Sequence, residues 1–136
     1  MKGEILAASL LERKGYRIVM TNFTAPIGRN SRGVQVTGEI DIIALDAETL
    51  CFVEVKSRTS DAIAAPLASV GLRKQRQITR TSRVYKQLFG ISDMPHRFDV
   101  VTVLMEKATT PKLDLYRGFW TEAKFKKRTW SDDVPY

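Results

Sequence analysis

The chain is poor in the residues that staple or metallate small proteins: among its 136 residues there is one cysteine, Cys51, and one histidine, His96. A lone cysteine cannot close an internal disulfide or build a Cys-rich zinc site. That excludes a secreted, disulfide-stapled scaffold and makes a reducing compartment the expectation. Long apolar runs are missing as well. The longest near the start, residues 5–11, is interrupted by Ser9 and bounded by Glu4 and Glu12, far short of the ~20 residues that span a bilayer. No small-residue cleavage pattern follows a cationic leader, so no membrane association is expected and the cytoplasm is the expected location. Internal repeats and low-complexity tracts are also lacking. Acid is in deficit: 15 Asp+Glu stand against 22 Lys+Arg, a net charge of +7 and a sequence pI near 9.8. Such an excess favours polyanionic partners through phosphate attraction that does not depend on base sequence.

What is present is the make-up of one globular domain, 43% hydrophobic and 27% charged, and long enough to bury a core. Residues 3–14 put Leu6, Ala7, Leu10 and Leu11 on one helical face, and Gly15 stands where a left-handed C-cap is wanted. Residues 16–23 are rich in β-formers and read as a strand. Residues 24–36 carry Pro26, Gly28, Asn30, Ser31 and Gly33 and read as a loop or extended hairpin tip exposing Arg29 and Arg32. Two apolar runs, 39–45 and 50–56, flank Asp46-Ala47-Glu48-Thr49, a hairpin with a four-residue loop. Both runs are apolar on both faces, as central strands are. A long helix is predicted from Pro66 or Ala68 to about Phe89, then strands over 98–105 and 112–116. The order α-β-β-β-α-β-(β) predicts an α/β fold with three layers, α/β/α, around a central mixed sheet. Residues 1–118 are expected to form the domain and 119–136 a basic, aromatic and partly disordered tail.

If the 46–49 loop closes symmetrically, Leu45 faces Leu50, and counting outward puts Asp41 opposite Glu54 and Glu39 opposite Lys56. Directly opposed side chains stand ~4.5–5.5 Å apart at Cβ, so two carboxylates would meet in a mostly apolar sheet. Like charges held together raise each other's pKa or demand a cation, and a divalent metal with hard oxygen ligands is the natural one. Lys56 shares the face of Glu54 by the period of two. An ammonium beside a metal-bound water can orient the nucleophile or stabilise charge building on a phosphate. Asp41, Glu54 and Lys56 therefore have the parts for metal-assisted phosphodiester hydrolysis; the same three residues also suit a structural ion cluster. A slip of one residue would send Asp41 to the opposite face. Glu39 reads as the partner of Lys56 or as an acid behind the metal ligands, and Glu4 as a first-turn acid that complements the helix dipole.

On the second helix Arg73, Arg76, Arg80 and Arg83 recur at steps of 3, 4 and 3, within an arc of about 80° at roughly 100° per residue. Such a stripe suits phosphate tracking, and equally a solvated charged face. Lys74 and Gln75 lie nearer the buried flank. His96 sits in a turn before a strand, and Cys51 alternates into the core as an inert thiol. Phe119, Trp120 and Trp130 with Lys124, Lys126, Lys127 and Arg128 mix aromatic and basic groups as single-strand binders do, or pack and solubilise a tail.

The block Gly38-Glu39-Ile40-Asp41 followed by Phe52-Val53-Glu54-Val55-Lys56-Ser57-Arg58 resembles the D…ExK signature of the restriction-endonuclease-like PD-(D/E)xK superfamily. Further blocks make the chain resemble the small YraN-like proteins, a family of predicted nucleases. These are Gly3-Glu4 with Ala7, Ala8, Leu11, Gly15 and Tyr16; Asn22; Arg73-Lys74-Gln75-Arg76; and Arg97-Phe98-Asp99-Val100-Val101. The match runs collinearly from residue 3 to about 117. The resemblance implies a restriction-endonuclease-like fold and a Mg²⁺- or Mn²⁺-dependent nuclease acting on DNA. It implies Asp41, Glu54 and the Val55 carbonyl as metal ligands and Lys56 as the catalytic lysine. Glu4 matches the position from which related Holliday-junction resolvases offer an extra carboxylate. Gln75 and Lys74 would line the cleft. Cutting a symmetric junction twice would favour a homodimer. Two departures stand out: residues 24–37 are longer than the short connection expected there, and Ile40 replaces the proline before Asp41. The alternative function is a nucleic-acid-binding module that keeps the fold and turns over nothing.

Overall fold

The computed structural model describes residues 2–59, 70–106 and 109–125. Five strands form one mixed sheet in the order of the chain: β1 (Arg17–Arg29), β2 (Gln35–Asp46), β3 (Thr49–Thr59), β4 (His96–Met105) and β5 (Lys112–Trp120). Neighbours are antiparallel except β3 and β4, which run parallel. A parallel pair needs a long crossover, and the segment containing α2 (Leu72–Leu88) supplies it. The other helix, α1 (Lys2–Arg13), precedes β1. Among the described residues no helix is long and apolar enough to cross a membrane.

The three layers follow from alternation along the central strand. Residues 50–54 of β3 are all buried. Leu50 and Phe52 join Ile78 and Tyr85 of α2 in one core cluster, while Cys51 and Val53 join Ala7, Leu10 and Leu11 of α1 in the other. The sheet is thus covered on both faces, the α/β arrangement expected. Cys51 lies fully buried, its thiol pushed up to about 12 chiefly by burial, which makes it inert.

Several boundaries differ from those read in the sequence. The four-residue loop is a two-residue turn, because Asp46 pairs with Thr49 and Ala47 adopts φ 54°, the left-handed conformation such turns need. Closure is still symmetric, so Leu45 faces Leu50 as expected. Residues 24–36, read as a loop or hairpin tip, are mostly strand: β1 and β2 pair out to Arg29 and Gln35, and only 30–34 turn. Pro26 is tolerated because β1 is an edge strand. The expected helix start at Pro66 or Ala68 lies outside the described residues, and α2 begins at Leu72 after an extended Gly71. Strand β5 runs on to Trp120 rather than ending at Tyr116, so residues 119 and 120 belong to the sheet and not to a tail beginning after 118. Trp120 stacks on Phe98 at 4.7 Å, and a short 3-10 helix, Glu122–Phe125, buries Phe125 in the same cluster. Lys126, Lys127, Arg128 and Trp130 lie outside the described residues.

Candidate active site

The β2–β3 ladder runs from the turn to Ile42 and Val53, and there the strands part. The cause lies in β2. Ile43 packs into the α2-side cluster and Ile42 into the α1-side cluster, yet Ile40 returns to the α2 side. Simple alternation would give Ile40 and Ile42 the same face, so the pleat slips at Asp41. On β1 the register puts Asn22 across from Asp41, and Asn22 has φ 54°, so both strands kink together. Such irregularities re-aim a side chain. Here Asp41 Oδ2 accepts the Val55 amide at 2.8 Å, taking the place of the missing ladder bond. A strand residue's N–H and C=O leave on the same side, so the Val55 carbonyl faces the same opening.

Glu54 shares the α2-side face with Phe52, and its side chain is 3% exposed. Its Oε2 lies 3.4 Å from the Lys56 ammonium and 3.7 Å from that of Lys74. Its Oε1 is buried with no hydrogen-bond partner, the one such side-chain atom among the described residues. The Glu54 carboxyl is pushed up to about 7, first by burial and then by the Asp41 carboxylate beside it, against the opposing pull of Lys74 and Lys56. A carboxylate held in that state gains most from a cation.

The donor set fits Mg²⁺ or Mn²⁺. Asp41, Glu54 and the Val55 carbonyl are hard oxygen donors, and the bare Oε1 lacks the partner that an ion would supply. Among the described residues no group of three or more His, Cys, Asp or Glu is placed to hold a metal ion by itself.

The expected residues are only partly brought together. Asp41, Glu54, Val55 and Lys56 converge, and Lys74, expected to bind nucleic acid and to line the cleft, joins them through its ion pair with Glu54. Glu39 does not reach Lys56: β2 has already left β3 there, Glu39 is exposed and pairs across from Thr24, and Lys56 pairs with Glu54. Gln75 is buried but turns to the Val70 carbonyl and the Lys124 ammonium. Glu4 stands in the first turn of α1, beside Gly3, which packs closely on Ser57. Glu4 makes no hydrogen bond or ion pair with Asp41, Glu54 or Lys56. Of the arginine stripe, Arg73, Arg76 and Arg80 line a groove against the β1–β2 hairpin, whereas Arg83 pairs with Glu122 at 2.8 Å. His96 lies between Lys86 and Glu122, at 3.0 and 3.2 Å, away from the carboxylates; burial first, then Lys86, lowers its pKa.

Sequence reasoning missed a second polar centre. Asp99 on β4 is fully buried and accepts from Tyr16, Arg97 and the Gly118 amide, and Arg97 also reaches Asp46. The signal was an acid alternating into an apolar strand, Phe98-Asp99-Val100.

Residues 3–103 match the sequence pattern of the uncharacterised protein family UPF0102. A UPF0102 protein of Chlorobium limicola is 36% identical over 127 residues, covering 89% of this chain and 91% of its own. One from Syntrophus aciditrophicus is 42% identical over 104 residues, 76% of this chain and 74% of its own. A solved chain described as the crystal structure of SSO0001 superposes with a TM-score of 0.38 at 15% identity over 89% of this chain and 51% of that one, a likeness too low to carry an argument.

Proposed function

The chain belongs to the uncharacterised protein family UPF0102, the YraN-like group, and from that premise we propose that it is a cytoplasmic Mg²⁺- or Mn²⁺-dependent nuclease that hydrolyses phosphodiester bonds in DNA, branched or repair intermediates included. One observation carries the reading: a nearly buried glutamate with a bare oxygen, beside a second carboxylate, with two lysines at hand. Asp41, Glu54 and the Val55 carbonyl would hold the ion. When bound, it would activate water and neutralise charge on the phosphate. The Val55 amide fixes the Asp41 carboxylate in place before any ion arrives. Lys56, half-buried and tethered to Glu54, donates N–H groups to orient the attacking water and to offset charge developing on the phosphoryl oxygens. Lys74 approaches from α2 and adds a second positive charge beside Glu54.

The same two ammonium groups favour a second reading. With both on Glu54 Oε2, the cluster can neutralise itself within a non-catalytic nucleic-acid-binding module.

Cleavage of labelled four-way junction, flap, linear duplex, single strand and RNA in Mn²⁺ separates the two. Wild type should yield product, and Asp41→Asn or Lys56→Ala should lose it by on the order of 100-fold or more. Asn retains an oxygen for the Val55 amide and removes repulsion with Glu54, so Asp41→Asn should stay folded. Retained cleavage in either variant refutes the site. Shifted bands without product from wild type support the binding module.

A further inference from the structure

We propose that the groove between the β1–β2 hairpin arm and the first two turns of α2 is a binding site for the sugar-phosphate backbone, and that it delivers a nucleic-acid strand to the carboxylate pair. The proposal deepens the reading above and rests on it for the nature of the polyanion.

Arg29 from the arm and Arg73, Arg76 and Arg80 from α2 line a cavity of about 190 Å³, with Asn30 and Gln77 as neutral donors and, among the described residues, no acidic residue in its wall. Four guanidinium groups gathered with no carboxylate beside them among the described residues repel one another, and an anion is the occupant that relieves this. The neighbouring pocket on α2 shows the contrast, because there Arg83, Lys86 and His96 surround Glu122.

The groove is built rather than incidental. Arg80 donates to the Ile27 carbonyl, Arg29 to the Gly33 carbonyl at 2.7 Å, and the Arg76 guanidinium lies 5.6 Å from the Phe125 ring centroid. A guanidinium has five N–H donors, so these tethers hold each group while leaving donors for a ligand. Arg73 makes no hydrogen bond or ion pair among the described residues. The arm lies close against the helix at two glycines. A side chain at Gly38 would strike Thr81, and one at Gly28, which has φ 126°, would displace the end of Arg80.

Position and spacing point to nucleic acid. Arg73 lines the groove and its neighbour Lys74 reaches Glu54 at 3.7 Å, so the groove and the carboxylates meet at the first turn of α2. From Arg73 to Arg80 the helix rises ~10.5 Å, long enough to lie along more than one phosphate of a strand.

The test is anisotropy of a labelled 20-base-pair duplex bound to the full chain in chelator, titrated with salt, for wild type, Arg29→Ala/Arg73→Ala and, as a control on the opposite layer, Arg13→Ala. Both groove positions are exposed, so the double variant should fold. Its logarithmic salt slope should fall by about 2 and its low-salt affinity by ~10-fold or more, with Arg13→Ala close to wild type. A slope that falls no more than in Arg13→Ala overturns the groove, as does a wild-type chain that binds no duplex. Polyglutamate displacing the duplex at equal charge overturns the phosphate assignment. Loss of slope with no wild-type cleavage in Mn²⁺ keeps the groove and retires the nuclease; cleavage with an unchanged slope does the reverse.

Discussion

Asp99 and Glu54 are buried carboxylates on adjacent strands, and their surroundings are opposite. Asp99, on the α1 side of β4, accepts four hydrogen bonds at 2.8–3.0 Å, from Tyr16, twice from Arg97, and from the Gly118 amide. Burial and Asp99 together push the Tyr16 hydroxyl up to about 12, keeping it a donor. Arg97 and Arg117 sit over the Tyr16 ring and tie in Asp46. Both Asp99 oxygens and the Tyr16 hydroxyl are matched, and the cluster joins β4 to the β2–β3 turn and to β5. Glu54, on the other face, keeps one oxygen bare and a second carboxylate beside it. A saturated carboxylate stabilises a fold, whereas an under-satisfied one lowers stability and is retained where a ligand makes up the difference.

The comparison breaks first at Asp99. Asp99→Ala strands Arg97 and Tyr16 and should cost about 3–5 kcal/mol in urea unfolding; a cost near zero would mean the cluster is ornamental. Glu54→Gln should act in the other direction. The Glu54 carboxyl moves from 4.5 to about 7 on folding, so between those pH values the folded chain binds more protons than the unfolded chain. Stability without metal therefore falls as pH rises through that window, by roughly 3 kcal/mol in all. Unfolding in chelator at pH 5 and pH 8 should show this fall in wild type and not in Glu54→Gln, and Mn²⁺ at pH 8 should recover it in wild type alone. A wild type that gains stability over the same window relative to Glu54→Gln refutes the assignment. The smallest effect is expected at Arg83→Ala. Its pair with Glu122 is solvent-exposed on the arginine side, so the cost should be about 0.2–1 kcal/mol, measured in the same unfolding series.

The readable part of the site was the part carried by local rules. Asp46 to Thr49 forced a symmetric turn, so the register of Ile42 to Leu45 against Leu50 to Val53 could be counted from it. Lys56 followed from the period of two. The kink at Asn22 and Asp41 could not be counted, because it arises between β1 and β2 and cancels the alternation on both. For the same reason Glu39 was given Lys56 as a partner it never meets. The arm was obscured by Pro26, Gly28 and Gly33, which punctuate a sequence as loops do. Pairing with β2 at a sheet edge overrides that signal; Gly28 lies against Arg80 of α2, and Gly33 serves the turn between the strands. Lys74 and the arginine stripe were legible as a helical face, but not their division among Glu54, the groove and Glu122.

The amino-acid sequence alone determined the central hairpin, its two carboxylates and lysine, the basic second helix and the α/β order of elements, because each follows from spacing within a short stretch. Only the tertiary structure decided that β2 leaves β3 at Asp41, that α2 brings Lys74 to Glu54 and that Glu54 Oε1 is left without a partner. Those outcomes depend on which distant elements pack together and on what water they exclude, and no local pattern encodes the solvation of a side chain by residues far along the chain.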